Sequence, residues 1–153
     1  MTTRILLLTH APLASALREC ALHVFADSAS DLLALDVFAD EAPEAALERA
    51  LALLVEQGGL EMPTLVLTDL FGATPCNVAQ RLTALLQARL VAGVNLSMLL
   101  RSIGYRHEAL DELVSRAMVG GSQGVMQVAS SSRQNQSQSA RPSHDQEHYH
   151  HQQ

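Results

Sequence analysis

The sequence predicts an α/β fold: a doubly wound, mainly parallel sheet in strand order 2-1-3-4, helices on both faces and a short C-terminal edge strand. Three observations lead there. Short apolar runs alternate with longer stretches whose apolar residues recur at helical spacing, the pattern of strand–helix–strand units. Prolines stand where helices would open and paired glycines where they would close. Two polar residues with chemical potential, His10 and Asp69, end two of the apolar runs. In doubly wound sheets ligands bind at that edge, where the strand order reverses.

The elements follow in order. Arg4 to Thr9 is the first strand. Pro12 to Phe25 is a helix with Leu13, Leu17, Cys20 or Ala21, and Val24 on one face. Leu32 to Phe38 is the second strand, and Pro43 opens a helix with Leu47, Leu51, Leu54 and Val55 inward, stopped by Gly58-Gly59. Thr64 to Thr68 is the third strand. The helix from Pro75 carries Val78, Leu82, Leu85 and Leu86 inward. Arg89 to Ala92 is a fourth strand, Gly93-Val94-Asn95 a turn, and Leu96 to Ile103 a short helix. Glu108 to Val119 is the last long helix, with Leu110, Leu113, Val114 and Ala117 inward, and Gly120-Gly121 ends it. Gly124 to Val128 reads as the final short strand, which must pair with a sheet edge to persist. One domain spans residues 1–129, and residues 130–153 form a polar tail rich in Ser, Gln, Asn, Arg and His, expected to be disordered.

Composition narrows the function. The chain is 48% apolar and 3% aromatic, so the core is aliphatic. A formal net charge of −6 argues against nucleic-acid binding. All ten basic residues are arginine, which excludes Schiff-base lysines and the P-loop lysine. Two cysteines give no disulfide framework and fit a reducing, cytoplasmic setting. No apolar run approaches the roughly 20 residues of a membrane span. His10 and Pro12 interrupt the apolar start and no cleavage site follows, so it is taken as a strand rather than a leader.

The stretch Asp69-Leu70-Phe71-Gly72-Ala73-Thr74-Pro75-Cys76-Asn77 carries the chemistry. A carboxylate ends a strand, a glycine turns the backbone, and Thr74 before Pro75 is a good N-cap for the helix that opens there. Such an N-terminus favours phosphate. With strands one and three adjacent, Asp69 and His10 face each other across the crevice. A neutral histidine nitrogen is a nucleophile near pH 7, and a carboxylate on the other nitrogen fixes its tautomer. The other histidines have plainer readings. His23 and His107 are surface or capping residues, and His144, His148, His150 and His151 are a cluster that takes up metal adventitiously, with no structural metal site expected. Cys76 starts a helix, where a thiol pKa falls, but packing explains it better than nucleophilic chemistry.

These residues resemble the EIIA domain of the mannose-type bacterial phosphotransferase system (PTS). Three motifs match in order: Thr9-His10 at the end of the first strand, the loop from Asp69 to Asn77, and Gly93-Val-Asn-Leu-Ser-Met-Leu99. The resemblance covers Thr3 to about Val128. It implies a phosphoryl carrier in which His10 accepts phosphate from phospho-HPr and passes it to an EIIB partner on a separate chain, with Asp69 orienting the ring. It further implies that Gly72, Ala73 and Thr74 bind the phosphoryl oxygens, with Phe71, Asn77 and Asn95 lining the site and no cofactor. The chain departs from the family where glycine usually follows the histidine, here Ala11 and then Pro12. It departs again at Ala73-Thr74, where the family usually has Gly-Ser, and at Ser97, where it has Pro. The family also implies a homodimer made by exchange of the C-terminal strand. A regulatory phosphohistidine module, acting by protein binding without sugar transport, is the alternative.

Overall fold

The computed structural model describes residues 2–130. The elements, in chain order, are β1 (Arg4–His10), α1 (Leu13–Val24), a 3-10 turn (Ala26–Ser28), β2 (Leu32–Val37), α2 (Pro43–Glu56), β3 (Thr64–Thr68), α3 (Thr74–Thr83), β4 (Ala88–Ala92), α4 (Leu96–Gly104) and α5 (Leu110–Gln123). The four strands pair in parallel in the order β2-β1-β3-β4, as the sequence predicts.

The two central strands, β1 and β3, are apolar on both sides through their middles because both faces are covered. Ile5 and Leu7 of β1 and Leu65 and Leu67 of β3 pack with α1, α4 and α5. Leu6, Leu8 and Val66 pack with α2 and α3. These leucines are fully buried, each stabilising the fold by roughly 1.5–3 kcal/mol. Helices α1 and α2 meet the sheet largely through small residues. Ala14 and Ala21 of α1 and Ala46 and Ala50 of α2 are wholly buried, whereas Leu13, Val24 and Val55, expected inward, are exposed, as is Leu85. Alanine lets a helix backbone approach the sheet closely, and the larger side chains beside it flank the contact.

Among the described residues, Arg4 is the one charged side chain in the core, fully buried at the start of β1. Its guanidinium donates to Thr64 Oγ1 at 3.0 and 3.2 Å and to the carbonyls of Leu54 and Gln57 at 3.0 and 3.2 Å. Those carbonyls lie at the C-terminal end of α2, where a cation is favoured by the helix dipole.

The C-terminus departs from expectation. Helix α5 runs through Gly120-Gly121 to Gln123, and residues 124–130 form no strand. The glycines are used for close packing instead of termination. A Cβ on Gly120 would lie 2.7 Å from Arg101 Cβ, one on Gly121 2.6 Å from Met98 Cε, and one on Gly124 2.5 Å from Ser97 Cβ. Gly124–Val128 pairs with no strand, and the outer edge of β4 stays open. The polar tail from residue 131 onward lies outside the described residues.

Candidate active site

Parallel pairing between β1 and β2 continues to His10↔Val37, whereas that between β1 and β3 runs from Arg4↔Thr64 to Leu7↔Leu67. The last three residues of β1 therefore lack a partner on the β3 side, and the sheet parts into a crevice there. The chain leaves β1 toward α1 on one face and β3 toward α3 on the other, which is the switch point of a doubly wound sheet.

His10 and Asp69 stand on the two sides of this crevice. His10 Nδ1 lies 2.7 Å from Asp69 Oδ2, and the same oxygen accepts the His10 backbone N–H at 3.2 Å. Asp69 Oδ1 accepts the Leu70 N–H at 3.1 Å. The carboxylate is mostly covered, 16% exposed, while the His10 ring is 48% exposed. Burial pushes the Asp69 pKa up, but the hydrogen bonds from the His10 ring, the His10 N–H and its own loop outweigh burial and hold it below the ordinary value. An ionised carboxylate on Nδ1 selects the tautomer with the proton there, leaving the Nε2 lone pair free.

The loop after Asp69 turns at Gly72, whose φ of +83° suits glycine. Ala73, extended at φ −86° and ψ 169°, is the N-cap of α3, so Thr74 occupies the first helical position instead of the cap predicted from its side chain. Pro75, with its fixed φ and no N–H, fits the second position. The backbone N–H groups of Phe71, Gly72, Ala73, Thr74 and Cys76 have no acceptor among the described residues. They form a cluster of free donors at a helix N-terminus beside His10. Leu6 and Leu8 face α2 and α3, and β-strand alternation carries His10 to that same face.

The other expected residues divide. Phe71 is 77% exposed on the rim, Asn77 and the Thr74 side chain are exposed, and Cys76 is buried. Asn95 is a structural strut: Oδ1 accepts the Met98 N–H at 2.9 Å, capping α4, and Nδ2 donates to the Gly121 carbonyl at 3.1 Å. Its side chain borders a cleft between β4 and α5. An asparagine three residues before Met98 is an N-cap pattern legible in the sequence. Two threonines at strand ends make contacts that their residue type does not announce. Thr9 Oγ1 donates to the His10 carbonyl at 3.1 Å, and the Thr68 carbonyl accepts both the Gly93 and Val94 N–H groups at 2.9 and 3.0 Å, tying the end of β3 to the turn after β4. No three His, Cys, Asp or Glu side chains converge on a metal site among the described residues, and no helix there is long and apolar enough to cross a membrane.

A sequence model of the EIIA-man family, described as PTS system fructose IIA component, matches residues 4–118. The chain belongs to the EIIA-man family. Among solved structures, this EIIA-man chain is similar to the mannose/sorbose-specific IIA subunit of the phosphotransferase system from Enterococcus faecalis, with 29% identity and a TM-score of 0.76 over 84% of this chain and 96% of that one. The EIIA component from Streptococcus agalactiae shares the fold, with 23% identity and a TM-score of 0.68 over 82% of this chain and 96% of that one. So does the PTS IIA protein associated with the fucose utilization operon of Streptococcus pneumoniae, at 23% identity and a TM-score of 0.63 over 89% and 99%. No curated protein matches the chain.

Proposed function

We propose that this EIIA-man chain is a cytoplasmic phosphoryl carrier that accepts phosphate on His10 from phospho-HPr and passes it to an EIIB component in PTS sugar uptake. The observation that carries this reading is the 2.7 Å contact between His10 Nδ1 and Asp69 beside an open Nε2. The Nε2 lone pair attacks phosphorus in line. The bond from phosphorus to the donor nitrogen breaks, and its electron pair returns to the donor ring. Positive charge grows on the His10 imidazole, and Asp69, ionised at neutral pH, stabilises it and keeps the Nδ1 proton in place. The free N–H groups of Gly72, Ala73 and Thr74 receive the equatorial oxygens, supported by the Thr74 hydroxyl. Transfer to EIIB reverses the step. Phe71 and Asn77 border the loop on the face a partner would meet.

Incubation with Enzyme I, HPr and labelled phosphoenolpyruvate tests this. Wild type is expected to gain one acid-labile, base-stable phosphate per chain and His10→Ala none; full labelling of His10→Ala overturns the assignment.

We further propose a homodimer formed through the open edge of β4 and the segment after α5. Val125, Met126 and Val128 are 79, 70 and 82% exposed. Val125 also borders the cleft lined by Leu90, Val91, Val114 and Met118. An unpaired sheet edge next to exposed apolar side chains favours self-association. Light scattering at micromolar concentration is expected to report a dimer, and a chain ending at Gln123 a monomer; a monomeric full-length chain overturns it.

A further inference from the structure

We propose that Asp36, on β2, is a positioning residue for His10: it caps α1 from outside the helix and so fixes the turn that carries the histidine. Helix α1 opens at Leu13, three residues past His10, and its own N-cap, Pro12, supplies no side-chain bond; no acidic residue lies in its first turn. Ser15 is the third helical position, where an N-cap side chain ordinarily delivers its hydrogen bond. There Asp36 Oδ1 accepts the Ser15 N–H at 3.2 Å, and Oδ2 accepts the Ser15 hydroxyl. The neighbouring strand thus provides the acceptor that α1 lacks.

The register makes this contact bear on the site. Asp36 pairs with Thr9 and Val37 with His10, and the Val37 carbonyl accepts the Ala11 N–H at 2.9 Å. The segment from His10 to Ser15 is therefore pinned by Asp69, Val37 and Asp36 in turn. Asp36 is itself braced, because Arg49 donates to its carbonyl at 2.6 Å while binding both Glu41 oxygens at 2.7 and 2.9 Å. Glu41 in turn accepts the Phe38 N–H at 3.2 Å. Alternation along β1 and β2 places Asp36 on the α1 face of the sheet and His10 on the α3 face. Asp36 therefore acts through the backbone of the turn and not on the imidazole.

The test uses the full chain and the variants Asp36→Ala and Asp36→Asn. The asparagine keeps an oxygen for the Ser15 N–H and an amide that pairs with the hydroxyl. In the unphosphorylated protein, Asp36→Ala is expected to shift the His10 ring 15N resonances away from the single Nδ1–H tautomer, while Asp36→Asn leaves them in place. In phosphoryl transfer, which rests on the carrier reading above, Asp36→Ala is expected to lower the saturated rate about tenfold with KM for phospho-HPr within about twofold, and Asp36→Asn to restore it. Unmoved His10 resonances in a folded Asp36→Ala protein overturn the proposal, as does an equal loss in both variants, which would make charge the cause. If Asp36→Ala does not fold, Ser15→Ala is read in the same way: a smaller shift in the same direction supports the proposal and none overturns it. A chain that takes no phosphate from HPr overturns the carrier reading alone, and the resonances still decide the role of Asp36.

Discussion

The two ends of β1 carry the two most informative polar residues of the molecule, and they are handled in opposite ways. At the start, Arg4 is fully buried, and its donors are taken by Thr64 and by two carbonyls of α2. At the finish, His10 is half exposed, bonded through one ring nitrogen only, and flanked by backbone N–H groups without acceptors. Both residues answer a partner on β3 or just beyond it. One end is saturated and holds the fold together; the other is left chemically incomplete. Unused bonding capacity at an accessible place, more than polarity or burial, distinguishes the end proposed to carry the phosphoryl group.

Exchanging the damage between the two ends separates them most sharply. His10→Ala is expected to lose all phosphorylation yet melt like wild type. Arg4→Met is expected to lose about 3 kcal/mol by removing the donors to Thr64 Oγ1 and to the Leu54 and Gln57 carbonyls, and with it about 10 °C in melting temperature, yet still to be labelled at low temperature. A His10 variant that melts much lower, or an Arg4 variant that melts like wild type, breaks the comparison.

Next in size is Asp69→Asn. The amide keeps a hydrogen bond but no charge, so the transfer rate is expected to fall by roughly two to three orders of magnitude with the fold intact. Stopped-flow transfer from phospho-HPr, set beside a thermal melt, measures it; a wild-type rate would reduce Asp69 to a turn residue.

The acid limb of the stability curve is a smaller effect. The folded Asp69 pKa lies below its ordinary value. Its contribution is therefore fully present above the unfolded carboxylate's pKa and is lost as pH falls through the folded one. Denaturant midpoints of wild type and Asp69→Asn are expected to converge on acidification through that range, and parallel curves would contradict the pairing.

Least of all should change on removal of residues 131–153. The stretch is rich in Ser, Gln, Asn, Arg and His with no apolar period, a composition that offers little to a core. Melting temperature and labelling are expected to stay as they were; a marked fall in either would tie the tail to one end of β1.

Much of this was legible in the sequence because strand ends are punctuated by chemistry. A histidine and an aspartate closing two apolar runs, with Gly72 and Pro75 after the second, gave the sheet order its meaning and the site its pair. The inward faces of the helices were harder to read, since Ala14, Ala46 and Ala50 carry no strong apolar signal while Leu13 and Val55 carry a misleading one. The burial of Arg4 was not legible, because its partners arrive from the end of α2, some fifty residues away. Asn95 stands in a motif expected to line the site, and its side chain caps α4, a contact the family motif alone does not reveal. Gly120 and Gly121 have the sequence of a stop and the geometry of a close contact with α4, and only the neighbouring helix distinguishes the two.

The open ring of His10 has a consequence for time. A phosphoryl group placed on Nε2 would stand in the solvent-facing crevice, so water would have access to it throughout its residence. Its lifetime would then be set by the intrinsic hydrolysis of the phosphorus–nitrogen bond in competition with the arrival of an acceptor. For such a carrier, the concentration of the next protein in the relay decides how long each charge is held and how much of it is wasted.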